Sequence, residues 1–577
     1  MGVQTALQPN PQTKFPGRTL AFWAEPGATL AATGLVAGVL ALKALNAGPL
    51  WRDETNSINV AQMPSLSEFW DSMRCESFPA LWLLLLRGWS ALGLAESDSG
   101  IRVLGLVVGL LFLGCLWLYS RWIHGRAPIL SVALLGSLPA FVNIAGANRA
   151  YGLAMCLLVL NFGMLWRYLE SPTRSRAVLA ALASLLFVHT VYYDEIFLCA
   201  MLAGACGVVL RRRQWRTLGT LVGIGLAAGS STMIYWPNLR RAAHYVPMIQ
   251  VPFTLPDLWK KLSQAVAAQS SAHSPGPSAS GIWIWMILLL AGTAAAVLVQ
   301  FGPGRSATER TTSLGGDTGD AARADLALFS GVSMLGGVTG YFFFLLKLHY
   351  PTEPWYYLGL LTLLAISLDG VLGAAWPVWR PCGMLRTGFL VLMIGSTSGA
   401  VWEEAHTRQS NVDLVAAALQ KNAQEGDLIV VQGAWEGITF DRYYRGRTRW
   451  VTLPPINSHK VHRNDLVWEK LNQPEPIAPV LTELSDTLRG GKRVWVVGQV
   501  GDANRNRTPS PLPPPPNLPT KWYLGPYSQY WCAQVISQLV VSAGPAQFVP
   551  VPVERPVNFQ ENLPLLRFPG YQPADRP

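Results

Sequence analysis

Residues 50–62, LWRDETNSINVAQ, follow directly on the apolar run GATLAATGLVAGVLALKAL at residues 27–45. That run is long enough to cross a membrane, because a helical span needs about 20 apolar residues. Arg52, Asp53 and Glu54 therefore stand where the chain leaves the membrane. Acidic residues favour the first turn of a helix, so position alone favours a polar cap on a helix that begins near Thr55.

The composition indicates a polytopic membrane protein with some soluble mass attached. Of the 577 residues, 50% are hydrophobic and 14% are charged, whereas about 25% are charged in soluble domains. The net charge of +11 collects in short loops between apolar runs, as the positive-inside rule describes. No module that combines aromatic and basic residues occurs, so we expect membrane lipids and no nucleic acid as partners.

The apolar runs predict about eleven transmembrane spans. They lie at about 28–48, 101–119, 127–146, 150–167, 177–192, 194–210, 217–236, 281–301, 326–346, 356–374 and 387–402. A further run at 78–94 is short and carries Arg87 in its middle. If it does not cross, all the basic clusters fall on the side of the N-terminus, at 120–126, 167–176, 211–216 and 379–386. We therefore predict that 78–94 is an interfacial helix on the outer surface and that the N-terminus is inside.

The chain divides into three parts on this pattern. A tail at 1–27 precedes a membrane domain at 28–402, which includes a large outer loop at 49–100. From 403 to 577 helical and strand-like segments alternate, which predicts an outer α/β domain with a mostly parallel sheet. The proline-rich stretch 505–519 is predicted to be a loop within it. The expected fold class is thus mainly α, a polytopic transmembrane helical bundle with juxtamembrane helices and a C-terminal α/β domain.

Asp53 is also a candidate general base. A carboxylate partly shielded by lipid and protein has its pKa raised towards a useful range. Arg52 is expected to restrain that shift or to bind an anionic group of a substrate. An amphipathic stretch follows, and after it the segment ESFPALWLLLLRGW, which a proline interrupts. With both segments the outer loop is larger than a simple connection between two spans requires.

These features resemble the GT-C superfamily of membrane glycosyltransferases. The segments concerned are WRDETNSINVAQ, ESFPALWLLLLRGW, SGIRVLGLVVGLLFLGCLWLYSRW, NRAYGLA and EGDLIVVQGAWEGITFDRYYRG. The likeness is greatest to the bacterial branch related to protein O-mannosyltransferases and the aminoarabinose lipid A transferase. In that family an Asp-Glu pair follows the first span and two juxtamembrane helices come after it. The chain departs from the family at Phe78 and Ala80, at Ala147 and Asn148, and at Trp355.

The resemblance implies a glycosyltransferase that moves a sugar, with inversion, from a polyprenyl-phosphate donor to an acceptor. The reaction takes place on the periplasmic face of what the likeness suggests is a bacterial inner membrane. Asp53 is then the catalytic base, and Glu54 assists it. The acceptor is a glycan, a lipid or a protein, and the polyprenyl-phosphate sugar is the co-substrate. A divalent metal is left open, because relatives carry an acidic residue where this chain has Ala147 and Asn148.

Several further side chains at the outer interface are candidates for binding. A leaving lipid phosphate needs cationic stabilisation. The candidates for the donor phosphate or substrate are Arg52, Arg87, Arg102, Arg149, Tyr151, Lys347 and His349, and those for acceptor or metal are Glu76, Asp194 and Glu195. For each cation the alternative is an anchor to lipid headgroups, and for Asp194 and Glu195 it is a helix cap.

Two other classes of protein fit the same sequence. A lipid-linked sugar flippase or transporter would carry charges at mid-membrane and repeated halves, neither of which we identify. A non-catalytic scaffold of envelope polysaccharide export is compatible with the altered positions Phe78, Ala147 and Trp355. An assay for release of polyprenyl phosphate separates a transferase from both.

Overall fold

A computed structural model describes residues 20–274, 276, 279–301, 317–375, 382–498 and 524–570. Within them the chain is a mainly α helical bundle with a small C-terminal sheet. The predictions for most of the tail at 1–27, for the loop 505–519 and for part of the basic cluster at 379–386 lie outside the described residues.

The membrane domain consists of seventeen α-helices in the part of the chain that the structure describes. They are α1 (Leu20–Asn46), α2 (Arg52–Ala61), α3 (Leu66–Ser72), α4 (Ala80–Ala91), α5 (Asp98–Ile123), α6 (Ile129–Gly136), α7 (Pro139–Ala145), α8 (Ala150–Glu170), α9 (Arg174–Val188), α10 (Asp194–Arg211), α11 (Trp215–Ser231), α12 (Trp236–Ala242), α13 (Leu255–Ala265), α14 (Ala279–Phe301), α15 (Asp317–Leu348), α16 (Leu358–Ala375) and α17 (Cys382–His406). Short 3-10 helices lie at Met73–Cys75, Thr232–Tyr235, Val246–Ile249 and Pro354–Tyr357.

Eight helices of the described chain are long and apolar enough to cross a membrane, so this is an integral membrane protein. The other three predicted spans differ from these eight. The run 127–146 is split into α6 and α7, 177–192 is the 15-residue α9, and 194–210 is the 18-residue α10, which carries Asp194, Glu195 and Arg211. The ambiguous run at 78–94 forms α4, which has 12 residues. At 1.5 Å per residue α4 reaches about 18 Å, well short of the roughly 30 Å hydrocarbon layer.

Close helix packing places the loop that precedes α8 against α5. A Cβ atom on Gly105 of α5 would lie 2.2 Å from the Gly146 carbonyl oxygen, so only glycine allows this approach. Gly152, in the first turn of α8, meets the Ala145 carbonyl oxygen in the same way, at 2.4 Å. These contacts fix the position of residues 147–149, which enter the site described below.

Three of the predicted basic clusters meet at one end of the bundle. Arg212, at the end of α10, donates to the Leu169 carbonyl at 2.6 Å and pairs with Asp325 of α15 at 2.6 Å. Arg167, near the end of α8, stacks over Trp122 of α5 with 5.9 Å between the guanidinium carbon and the ring centroid. The ends of α5, α8 and α10 therefore lie together, as the distribution of positive charge predicts.

The C-terminal domain contains a five-stranded sheet. Its elements are α18 (Val412–Asn422), β1 (Leu428–Gln432), α19 (Glu436–Tyr443), β2 (Arg449–Leu453), α20 (Asn464–Leu471), α21 (Ala478–Arg489), β3 (Val494–Val497), α22 (Leu524–Ala543), β4 (Gln547–Val549), a 3-10 helix at Phe559–Glu561 and β5 (Leu565–Phe568). The strand order is β2-β1-β3-β5-β4. β1 pairs in parallel with β2 and β3, whereas β5 runs antiparallel to β3 and to β4. The sheet is thus mixed, and the prediction of a mostly parallel sheet holds for its first three strands.

The C-terminal domain is docked on the outer loop of the membrane domain. Asp98, at the start of α5, accepts from Arg442 at 2.7 Å and from the Tyr443 hydroxyl at 2.5 Å. The same hydroxyl accepts from the Leu50 backbone N–H at 2.7 Å. These partly buried polar contacts tie α19 to the segment LWRDE and thereby bring the C-terminal domain to the candidate site.

Candidate active site

Asp53 lies in the first turn of α2, just beyond the end of α1. Its carboxylate is 24% exposed, so part of it is open to a ligand. One carboxylate oxygen is 3.6 Å from Nη2 of Arg149, and the other is 3.3 Å from Nε2 of His462. Arg52 Nε lies 3.8 Å from that second oxygen. The carboxylate is therefore held among three nitrogen groups from three different segments of the chain.

Arg149 is the central cation of the site and is almost fully buried. Its Nη1 atom donates to the Asp53 carbonyl at 2.8 Å, to the Ser57 hydroxyl at 2.9 Å and to the Glu76 carboxylate at 3.3 Å. The guanidinium carbon lies 4.3 Å from the ring centroid of Phe78, within the range of a cation–π contact. Phe78, which departs from the family pattern, thus supports Arg149.

Glu76 completes the inner set of charged groups. Its carboxylate accepts from Asn56 Nδ2 at 3.0 Å and from the Ser57 hydroxyl at 2.7 Å, as well as from Arg149. Asn56 and Ser57 lie on the turn of α2 that follows Asp53. The segment before α4, which contains a proline, is therefore bound alongside α2 within the outer loop.

The expectation that the pKa of Asp53 is raised is wrong. Burial by itself raises the pKa, but the charge of Arg149, the hydrogen bond and charge of His462 and the charge of Arg52 outweigh it. Together they hold the pKa of Asp53 well below its usual range. Because hydrogen bonds and opposite charges favour the ionised form, Asp53 is a carboxylate at every physiological pH.

Glu54 has a structural role, in contrast to its prediction as a catalytic residue. The side chain is fully buried and pairs with Arg102 of α5 at 2.5 Å. The same carboxylate accepts from the backbone N–H of Asn148 at 2.9 Å and from that of Trp51 at 3.3 Å. Arg102 also donates to the Pro49 carbonyl at 2.9 Å. Glu54 thus caps α2 and binds it to α5 and to the loop before α8, which leaves no oxygen free for chemistry.

Arg52 faces the C-terminal domain. Its Nη1 atom donates to Glu436 of α19 at 2.9 Å, and its backbone N–H donates to Glu561 at 3.0 Å. Glu561 is fully buried, and burial with the nearby Glu436 charge raises its pKa to about 8. The Thr439 hydroxyl lies 2.5 Å from Glu561 and 3.1 Å from the Glu436 carbonyl.

A cavity of about 490 Å³ lies next to these charged groups. Most of its wall is aromatic or aliphatic, and its aromatic members are Phe78, Tyr151, Tyr192, Tyr193, Trp236, Tyr245, Phe344, Tyr350 and Tyr356. Its polar members include Glu76, Glu195 and His462. Asp53 is not itself a wall residue, but it contacts His462 directly and Glu76 through Arg149. The volume is typical of small-molecule sites.

Some of the remaining predicted residues line this cavity, and others lie elsewhere. Tyr151 and Glu195 line it. Arg87 instead donates to the carbonyls of Ala61 and Met63 at 2.9 and 2.7 Å and so caps the end of α2. Asp194 is buried and accepts from the Val191 N–H at 3.1 Å, so it binds the turn that precedes its own helix and does not line the cavity.

Lys347 and His349, predicted to bind the donor phosphate or the substrate, are both exposed and do not line the cavity. Their neighbours Leu348 and Tyr350 do line it. The cavity therefore gives no support to a binding role for either cation. Trp355 itself packs edge-on against Trp51, with 5.6 Å between the ring centroids.

The arrangement does not fit a divalent metal between the two inner carboxylates. Arg149 lies between Asp53 and Glu76 and pairs with both, so its guanidinium takes the place that a cation would need. Among the residues that the structure describes, no group of three or more His, Cys, Asp or Glu side chains is placed to hold a metal ion.

His462 is the site residue that the sequence does not reveal. It lies in the loop between β2 and α20, about 400 residues beyond Asp53, and its Nε2 atom reaches the Asp53 carboxylate at 3.3 Å. Glu436 and Glu561 are equally remote from Arg52. No local motif marks any of the three, because each acts through a contact formed only when the C-terminal domain docks.

No family model matches the chain, and no curated protein matches it. Two crystal structures of ArnT from Cupriavidus metallidurans are similar to it. For ArnT bound to undecaprenyl phosphate the identity is 14% and the TM-score 0.46, over 81% of this chain and 92% of that chain. For ArnT in the apo state the values are 13%, 0.32, 82% and 93%. ArnT is an aminoarabinose lipid A transferase, a GT-C glycosyltransferase.

The buried pair of Glu54 and Arg102 predicts a large loss of stability when one partner is removed. Glu54→Gln leaves a buried guanidinium unpaired, which costs about 3–5 kcal/mol. We expect a clearly lower melting temperature of the purified protein, whereas Glu68→Gln, at an exposed site of the same outer loop, has no effect. An unchanged melting temperature for Glu54→Gln would show that the pair does not hold α2 to α5.

The raised pKa of Glu561 predicts a stability that depends on pH. A carboxyl whose pKa is about 8 in the folded chain and about 4.5 when unfolded stabilises fully below pH 4.5. That contribution is lost as the pH rises through 8. The melting temperature should therefore fall over this window, and Glu561→Gln should reduce the fall. Glu554→Gln, at an exposed position of the same segment, is the matched control, and an equal fall in wild type and Glu561→Gln contradicts the assignment.

Proposed function

We propose that this protein is an inverting membrane glycosyltransferase that uses a polyprenyl-phosphate-linked sugar as donor. The observation that carries the proposal is the partly exposed Asp53 carboxylate, held ionised by Arg149 and His462 beside a large apolar cavity. An ionised carboxylate that is fixed in direction and open on one side suits a base that receives a proton from a hydroxyl group. An apolar cavity beside it suits a lipid-linked substrate.

In the proposed reaction, the oxygen of the acceptor hydroxyl bonds to the anomeric carbon of the donor sugar. The bond between that carbon and the phosphate oxygen breaks, and its electron pair leaves with polyprenyl phosphate. The hydroxyl proton passes to Asp53. Attack from the face opposite the phosphate inverts the anomeric centre. A single displacement with one base is therefore sufficient for transfer with inversion.

The low pKa of Asp53 in the free protein is compatible with this role. Its cause is positive charge, above all that of Arg149, with Arg52 close by. The side chain of Arg52 is 22% exposed. An anionic donor phosphate bound near it would offset part of the positive charge that favours the ionised form of Asp53. Donor binding would therefore raise the pKa of Asp53 towards the range in which it accepts a proton. Among these three candidate cations Arg52 is the one that lies beside Asp53, at 3.8 Å, in addition to its pair with Glu436, whereas Arg87 and Arg102 bind other groups.

The volume and mainly apolar lining of the cavity support its use by the first part of a polyprenyl chain. Met233, Trp236 and Leu239, at the junction of α11 and α12, belong to its wall and are also exposed on the outside of the protein. In a membrane protein such exposed apolar side chains face lipid. A lipid-linked substrate could thus enter from the bilayer and place its phosphate near Asp53 and Arg52.

The positive-inside pattern supports an orientation in which the site is periplasmic. The clusters that include Arg167 and Arg212 lie together at one end of the bundle, and the site lies beyond the opposite ends of α5 and α10. On this basis we propose that the catalytic face and the C-terminal domain, residues 403–577, are periplasmic, and that the membrane is the bacterial inner membrane. The catalytic domain is 28–402, and the acceptor is a glycan, lipid or protein.

Asp53→Asn should abolish sugar transfer and leave membrane insertion intact, because the amide cannot accept the proton. The measurement is the release of polyprenyl phosphate by the purified protein from a panel of polyprenyl-phosphate sugars. Asp71→Asn, at an exposed acidic site of the same outer loop, should transfer at the wild-type rate. Wild-type transfer by Asp53→Asn would refute the role of Asp53, and movement of intact lipid across vesicles without cleavage would indicate a flippase.

Blocking the cavity should weaken binding of the lipid. Ala242 lines it, whereas the neighbouring Ala243 is exposed and does not. Ala242→Trp fills part of the space, so we expect affinity for polyprenyl phosphate to fall at least tenfold, which corresponds to about 1.4 kcal/mol. Ala243→Trp should bind as the wild type does. Equal binding by the two variants would show that the lipid lies elsewhere.

A further inference from the structure

The loop between β2 and α20 lies directly along the helix that carries Asp53. Asn56 and Asn59 are three residues apart on α2 and therefore share one face of it. Asn56 accepts from the backbone N–H of His462 at 2.8 Å, and Asn59 donates to the Lys460 carbonyl at 2.7 Å. Two side chains of the membrane domain thus fix the backbone of a loop from the C-terminal domain.

This docking places one side chain of the loop in the site. His462 is 16% exposed, lines the cavity and has its Nε2 atom 3.3 Å from the Asp53 carboxylate. The contact is on the carboxylate oxygen opposite the one that faces Arg149. Asp53 accepts at this oxygen, so His462 donates from Nε2, either as a neutral ring protonated there or as a cation. The two contacts together restrict rotation of the carboxylate.

We propose that His462 is a positioning residue for Asp53, so that the active site is built across the two domains. The inference deepens the proposed transfer and rests on it for its functional consequence. His462 fixes the direction of the carboxylate, and the loop around it closes the side of the cavity next to Asp53. A C-terminal domain that supplies this side chain is a necessary part of the catalytic unit.

The first test measures the contact without any assay of activity. Melting temperatures of the full-length wild type, Asp53→Asn, His462→Ala and the double variant form a double-mutant cycle. A direct contact makes the two single effects non-additive. Additive effects would overturn the proposal, whether or not the protein transfers sugar. Lys460→Ala keeps the backbone contact to Asn59 and removes only an exposed side chain, so it should be additive with Asp53→Asn.

The second test separates positioning from folding. With a polyprenyl-phosphate sugar as donor, His462→Ala should lower kcat about 10- to 100-fold, the loss typical when a side chain that orients a functional group is removed. The donor KM should change little. His462→Gln places an amide N–H near the former Nε2 and should recover most of kcat, whereas Lys460→Ala should equal the wild type. A wild-type kcat in His462→Ala, or no recovery in His462→Gln, would overturn the positioning role.

The two tests also distinguish this inference from the proposed function. A wild-type protein that releases no polyprenyl phosphate from any donor contradicts the transferase. In that case a non-additive cycle still supports His462 as the residue that positions Asp53. Conversely, if His462→Ala does not affect transfer, the proposed transferase function stands and His462 has no part in it.

Discussion

The buried guanidinium of Arg149 is the contact on which the site depends. It bridges the Asp53 carbonyl, the Ser57 hydroxyl and the Glu76 carboxylate, and so joins the loop before α8 to α2 and to the segment before α4. A buried charge of this kind is strongly destabilising unless it is paired. We therefore expect the packing of the outer loop on the bundle to depend on Arg149, which is also the largest of the charges that lower the pKa of Asp53.

The two acids of the segment LWRDE have separate tasks. Glu54 is fully buried with Arg102 and binds three parts of the fold together, whereas the adjacent Asp53 is partly exposed at the cavity side. Neighbouring residues on a helix point about 100° apart, so one can face the core while the other faces a ligand. The helix-cap interpretation is therefore correct for Glu54, and it does not conflict with a catalytic role for Asp53.

The C-terminal domain is more than an appended module. It pairs with the Arg52 guanidinium through Glu436, accepts from the Arg52 backbone N–H through Glu561, binds the Leu50 N–H through Tyr443, and contacts Asp53 through His462. Burial raises the pKa of Glu561 to about 8, so we expect this docking to weaken as the pH rises through 8. The interface between the two domains is thus expected to affect both the stability of the protein and the geometry of the candidate site.

Local patterns in the sequence determined the apolar helices, the end at which the basic clusters meet, the short length of α4 and the choice of Asp53 and Arg149 as candidates for one site. These features follow from hydrophobic length, charge and position next to a span, all of which are local properties of the chain. The pKa of Asp53, the structural roles of Glu54 and Arg102, the antiparallel strands of the sheet and the participation of His462 were decided only in the tertiary structure. Each of these depends on which distant groups come within a few ångströms of one another, and no local pattern records that distance.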